Sequence, residues 1–380
     1  MWIMKTKERL MSLDVLRGLD LFFLVGLESV MHPLASAIDT EGFHDFMWNF
    51  SHVEWEGFSP WDLVMPLFLF MSGVSIPFAM SNYRKGADKS GLCQRLLKRV
   101  ALLWIFGMIC QGNLRGLDPD RIYLYSNTLQ TIAVGYLFTV IFYLFTSWRT
   151  QAGIAVLLLL GYWGAMKWVT VDGFGGGNYT PDLNLAEWID RTVLGRFRDG
   201  ASVEDGVVQF APWYRYTWIL SSLNFIVTVM TGCFAGQILR HVSFKPNQKA
   251  LLLAVAGAVL VAAGWLWNIE FPVIKKLWTS SMVLVSSGYC FLLMAVSYYI
   301  VDVKGLRRGT EWLRVYGMNS IMAYMLAQCI NFRSVAHSLF HGVEQYIGPA
   351  WYQVLMAASC SIIIYIILWR MYKFRIFLRV

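Results

Sequence analysis

The densest run of chemistry-bearing side chains is Ser51-His52-Val53-Glu54-Trp55-Glu56-Gly57-Phe58-Ser59-Pro60-Trp61-Asp62, which leads straight into a long apolar stretch. A histidine side chain can take a proton or attack an acyl group near neutral pH. Asp62 is placed to orient such a ring. Ser59 and Pro60 also read as a helix N-cap and a first-turn proline. An acid in that first turn is favoured by the helix dipole, so capping is an equally plain role for Asp62. A lone loop histidine would carry little meaning. Glu54, Asp62 and two tryptophans around His52 give it a catalytic reading.

A second group lies upstream. Asp14 and Arg17 are three apart and share a helix face. They form either an ion pair anchoring the helix start, with Ser12 and Asp14 as caps, or a basic group that meets an anionic cofactor. Glu28 and His32, four apart, read as an interfacial pair or as part of a site. Further along, Asn127, Gln130, Asn224, Thr228, Thr231, four serines between 280 and 287, Asn319, Ser320 and Gln328 interrupt apolar stretches. Such residues often glue helices together. Their number points to a polar cavity through the bundle.

The elements that must position these residues are membrane-spanning. Of 380 residues, 57% are apolar and only 15% charged, against about 25% charged in soluble domains. Disorder, a coiled coil and a small disulfide scaffold are excluded. The expected fold class is an all-α polytopic membrane protein. Ten apolar stretches are long enough to cross a hydrocarbon core, at about 12–33, 60–80, 97–114, 127–146, 151–169, 214–239, 250–268, 277–300, 313–332 and 350–371. Two long loops remain, about 34–59 and 170–213, and the charged part of the second, 187–199, reads as an interfacial helix.

The basic residues alternate loop by loop. Of 32, 21 fall on one side, including Lys5, Lys7, Arg9, Arg84, Lys85, Lys89, Arg95, Lys98, Arg99, Arg240 and Arg379. Ten, including Arg115, Arg121, Lys275 and Lys276, fall on the other, and Arg17 lies within the first span. By the positive-inside rule both termini are cytoplasmic, which an even number of spans also requires. The net charge of +8 therefore reports on topology and not on nucleic acid. No cleavable signal peptide is expected. The six cysteines lie in or beside apolar stretches with no metal-ligand spacing, so neither structural disulfides nor a metal site is expected. Walker and GxGxxG patterns are absent, which removes the usual signatures of an ATP-driven pump and a dinucleotide enzyme.

Five segments in order carry a specific resemblance: Ser12 to Gly18 (SLDVLRG), His52 to Gly73, Leu129-Gln130, Pro272 to Ser280 (PVIKKLWTS) and Tyr316 to Ser320 (YGMNS). Together they resemble the heparan-alpha-glucosaminide N-acetyltransferase family of multi-pass membrane acyltransferases, in the form of its shorter bacterial members. The resemblance covers about residues 9–372. It implies one transmembrane acyltransferase domain over 1–380, set in the cell inner (plasma) membrane. It implies transfer of an acetyl group from cytoplasmic acetyl-CoA, the co-substrate, to the amino group of a glucosamine-type sugar beyond the membrane. The family's essential histidine matches His52 and its aspartate matches Asp62. For the coenzyme the candidates are Arg17, Asp14, Gln130, Arg95 and Arg99. For the acceptor they are Glu28, Trp55, Lys276 and Asn319, with Asn319, Lys276 or a backbone N–H as oxyanion donor. Expected partners are an amino-sugar or glycan acceptor, membrane lipids and, as an option, a second copy in a homodimer; nucleic acid is not expected. One departure stands out: Glu28 occupies a place where the family usually has Asn. The competing readings are a sugar transporter, which needs the same polar path, and an O-acetyltransferase acting on a cell-surface glycan.

Overall fold

The computed structural model describes residues 10–84, 86, 90–112 and 122–378. Among the charges used above, Lys5, Lys7, Arg9, Lys85, Lys89, Arg115, Arg121 and Arg379 lie outside the described residues. The protein is largely helical and polytopic. Seven helices among the described residues are long and apolar enough to cross a membrane: α1 (Met11–Ile38), α3 (Pro60–Arg84), α5 (Thr128–Phe145), α8 (Ser222–Arg240), α9 (Pro246–Trp267), α10 (Ser280–Val303) and α14 (Pro349–Lys373). Between them come the short α2 (Glu41–Met47), then α4 (Leu92–Cys110) and α6 (Trp148–Trp168). A shorter α7 (Leu185–Leu194) lies in the second long loop. The sequence α11 (Glu311–Met318), α12 (Ser320–Cys329) and α13 (Phe332–Leu339) precedes the last helix.

All ten apolar stretches thus contain helix, but three depart from an uninterrupted apolar span. α4 opens on Gln94, Arg95, Lys98 and Arg99. α6 carries Arg149 and Gln151 at one end and Lys167 at the other. The ninth stretch is divided at Asn319, whose φ of −124° and ψ of 43° break the helix between α11 and α12.

The central helices touch through glycine. A Cβ on Gly73 of α3 would lie 1.9 Å from the Val229 carbonyl of α8, and one on Gly232 of α8 the same distance from the Phe70 carbonyl. Lipid tails are as apolar as leucine, so close backbone approach and dispersion hold such helices together. The α1–α11 contact works the same way: a Cβ on Gly18 would meet the Leu313 carbonyl at 1.8 Å. Around these contacts Leu69, Phe225, Val229, Tyr136 and Trp278 form a buried cluster.

The second long loop is built, not slack. It holds two hairpins, β1 (Thr170–Val171) with β2 (Phe174–Gly175), and β3 (Ala201–Glu204) with β4 (Val207–Phe210). α7 lies between them and turns its charges inward. Glu187 accepts from Arg198 at 2.6 Å, and both side chains are buried. Asp190 accepts from the backbone N–H of Trp218 at 2.7 Å and of Ile219 at 2.9 Å. Those two amides precede α8 and would otherwise be orphaned. The segment 187–199 thus begins in the helix α7, with Glu187 and Asp190 packed into the loop.

Candidate functional site at the His52 end of the bundle

Two distant loops build the site. Gly57 N–H donates to the Val273 carbonyl at 2.8 Å, and Glu56 and Ile274 form an antiparallel bridge. Gly57, at a φ of +118°, makes the turn that a side chain would resist. Outside, Lys276 donates to the Glu54 carbonyl at 2.7 Å, and the Trp55 indole N–H donates to the Tyr179 carbonyl at 2.9 Å. The His52 loop is therefore clamped by both the 272–279 segment and the second long loop.

At the base of this loop Ser59 and Asp62 form a capping box at the start of α3. Asp62 Oδ2 accepts from Ser59 N–H at 3.0 Å and from Val53 N–H at 3.4 Å. Its other oxygen, Oδ1, lies 2.8 Å from His52 Nδ1. The two roles open for Asp62 in the sequence coincide in one buried carboxylate. A carboxylate only accepts, so Nδ1 carries the proton of this contact, and in the neutral ring Nε2 is then the acceptor. That is the orientation the third member of a catalytic triad gives to histidine.

Lys275 completes a triangle. Its Nζ is 3.3 Å from Asp62 Oδ1, and 2.9 and 3.3 Å from His52 Nδ1 and Nε2. With Nδ1 giving its proton to Asp62, the ammonium protons are left for Asp62 and for the space beside Nε2. Burial lowers the Lys275 pKa to about 8, against the opposing pull of Asp62 and Glu28. Lys276, next in sequence, faces the other way: residues 275–278 form a turn closed by Trp278 N–H to the Lys275 carbonyl at 3.0 Å, and Lys276 reaches the Glu54 carbonyl.

His52 and Lys275 open into a cavity of about 340 Å³ whose wall includes Glu28, Asn127, Tyr216 and Gln328. Burial and the nearby Asp62 push the Tyr216 phenol up to about 12, so it stays a donor. Glu28 reaches this cavity because α1 is not a regular helix. Phe22–Leu27 forms a π-helical turn immediately before it, and such an extra residue re-aims the side chains that follow. A second cavity, about 130 Å³, lies deeper in the bundle and is lined by Arg17, Arg99, Met71 and Ser320 among others. Thr128 and Tyr324 line both cavities. Asn127 donates to the Tyr324 hydroxyl at 3.1 Å, so this shared wall is itself tied in place.

The sequence candidates separate accordingly. His52 and Glu28 line the first cavity, and Arg17 and Arg99 the second. Arg17 also donates to the Met71 carbonyl at 3.2 Å, and Arg99 lies over the Tyr136 ring at 3.9 Å. Gln130 is spent on structure: its Oε1 accepts from Ser126 and Asn127 N–H and its Nε2 donates to the Leu124 carbonyl. Asn319 donates to the Ile376 carbonyl and accepts from Leu378 N–H. Arg95 is exposed and donates to the Gly91 carbonyl. Asp14 is buried on α1 near Gly317 of α11. Trp55 and Lys276 brace the His52 loop from outside. Lys275, Tyr216 and Tyr324 are absent from the sequence candidates. For Lys275 the signal was the Lys275-Lys276 doublet, which does not say which of the two turns inward.

The family model described as "Heparan-alpha-glucosaminide N-acetyltransferase, catalytic" matches residues 9–187, which include His52, Asp62 and Glu28. The heparan-alpha-glucosaminide N-acetyltransferase of Homo sapiens is 27% identical over 369 residues, covering 83% of this chain and 52% of the relative. That of Mus musculus is 28% identical over 328 residues, covering 73% and 49%. The chain spans about half the length of these curated relatives. The chain is thus similar to these N-acetyltransferases along most of its length, and to the family model over its first half.

Proposed function

We propose that the protein is a membrane acetyltransferase. It takes an acetyl group from acetyl-CoA at the Arg17–Arg99 side of the bundle and delivers it at the His52 side to the amino group of a glucosamine-type sugar. The observation that carries this reading is the pair of cavities back to back, one lined by arginines and the other by an oriented histidine. An anionic coenzyme is held by guanidinium groups through charge and paired hydrogen bonds. In this reading the narrower cavity takes the slender thioester arm of such a molecule. The wider one has room for a sugar and holds carboxylate, amide and phenol groups to position it.

The chemistry needs two functions. The attacking amine must lose a proton as its bond to the carbonyl carbon forms, and His52 Nε2, the acceptor of the neutral ring, takes it. The carbonyl π pair moves onto oxygen, and collapse of the tetrahedral intermediate breaks the carbon–sulfur bond. The coenzyme thiolate leaves and takes up the proton that His52 accepted. Asp62 fixes the ring and favours the cation formed on the way. The test gives purified protein acetyl-CoA with glucosamine, other amino sugars and a sugar bearing hydroxyls alone. Thiol release and acetylated product are followed together. Thiol and N-acetylated sugar appearing in equal amounts support the reading. Product from the hydroxyl sugar alone would move the reaction to O-acetylation. No turnover with any acceptor would overturn the assignment.

A further inference from the structure

We propose that Lys275 is a catalytic residue of this site, donating from its ammonium to the oxygen that becomes negative during acetyl transfer. The inference rests on the acetyltransferase reading and adds a group that neither the family resemblance nor the sequence spacing singled out. It comes from where the side chain is held. Lys275 is nine-tenths buried, lines the cavity that His52 faces, and has its Nζ 3.3 Å from Nε2. A carbonyl carbon approached by Nε2, or by an amine hydrogen-bonded to Nε2, carries its oxygen about one bond length further out. An oxyanion donor must lie about 2.7–3.1 Å from that oxygen. An amine 3.3 Å from Nε2, on the cavity side, can reach it without moving the backbone.

The other donors considered for this task are committed elsewhere. Asn319 is bonded to the backbone of residues 376 and 378, and Lys276 to the Glu54 carbonyl outside the cavity. Asp62 supplies what a buried ammonium requires, an opposite charge in contact. The arrangement also suits turnover. The same carboxylate holds the histidine and the lysine, so base and oxyanion donor keep a fixed separation while charge moves between them.

The groups facing Lys275 Nζ are His52 and Asp62 in contact, Glu28 across the cavity and the adjacent Lys276. Its pKa of about 8 gives the test its sign. Donation needs the protonated amine, so kcat should fall as pH rises through about 8. Arginine stays protonated through that range, so the alkaline fall should move upward or vanish in Lys275→Arg.

The experiment compares wild type, Lys275→Gln and Lys275→Arg as full-length protein in detergent. Size profile and acetyl-CoA binding serve as controls for folding. Removing one oxyanion donor typically costs 10²- to 10³-fold in kcat. Lys275→Gln should show that loss with KM for acetyl-CoA within about threefold, and its residual rate should be flat through pH 8. Lys275→Arg should recover part of the rate. A folded Lys275→Gln within tenfold of wild-type kcat, or a folded Lys275→Arg with the wild-type alkaline fall, overturns the proposal. In either of those cases wild type still turns over, so the acetyltransferase reading survives. A wild type that releases no thiol with any amino sugar overturns both.

Discussion

At the scale of single residues, His52 and Asp62 were legible because ten positions separate them and a capping pattern fixes the second. The sequence left Asp62 with two roles, and the structure needs no choice: one oxygen caps α3 and the other holds the imidazole. Replacing His52 by Ala should therefore leave the helix start intact. The variant should keep its size profile and acetyl-CoA binding, and lose transfer by 10²-fold or more, as loss of a general base does. Asp62→Asn is different, since an amide can still accept at the cap but sets the histidine tautomer less firmly. It should retain some turnover and lose thermal stability. A His52→Ala protein that acetylates an amino sugar at near the wild-type rate would end the catalytic role of this residue. Lys275 was not legible at this scale. It meets His52 from 223 positions away, and the turn at 275–278, just after the bridge between residues 56 and 274, is a long-range feature that sequence spacing does not show.

At the scale of elements, each of the ten stretches located by apolar length contains helix, but apolar length did not locate the short helices α2, α7 and α13 or the irregularities that serve the site. The π-helical turn at Phe22–Leu27 has no signature in a run of apolar residues, yet it sets where Glu28 points. The break at Asn319 is equally silent, because Met318-Asn319-Ser320 carries neither proline nor glycine. Glycine in an apolar helix is more readable when the partner helix is known. Gly73 and Gly232 lie where α3 and α8 touch backbone to backbone. Gly232→Ala should separate these helices and cost about 1–3 kcal/mol, the range for overpacking. It should also reduce acetyl-CoA binding, because Met71 and Ser72 on α3 line the arginine cavity. Gly153→Ala on α6, where a Cβ meets nothing within 4 Å, should be neutral or slightly stabilising. Thermal unfolding in detergent separates the two, and equal midpoints would refute the backbone contact. Arg17→Ala and Arg99→Ala belong to the same scale, since α1 and α4 bring them to one cavity. Each should raise the acetyl-CoA dissociation constant more than it changes acceptor KM, and unchanged coenzyme binding in both would remove the arginine cavity from the reading.

For the whole molecule, the proposed transfer requires the two cavities to open toward opposite sides of the membrane. By the positive-inside rule the Arg84 and Arg240 end is expected to be cytoplasmic. The structure joins that end physically: Arg84 donates to the Thr146 carbonyl at 3.0 Å, and Arg240 donates to the Pro77 carbonyl. The opposite end holds the His52 loop, α7 and both hairpins. Val242, 96% exposed, and Val207, 57% exposed, are reporters for the two ends. Cys93 is an exposed native thiol on the basic side and has to be replaced by Ser first. A membrane-impermeant maleimide added to intact cells should then label Val207→Cys and leave Val242→Cys unlabelled until the membrane is opened. The side of the acceptor follows from the same result. If Val242→Cys labels from outside and Val207→Cys does not, the basic end is external, and a coenzyme confined to the cytoplasm would meet His52 before it met Arg17. If both label from outside, the alternation of basic loops does not describe the topology, and the two cavities cannot be the two ends of a path across the membrane.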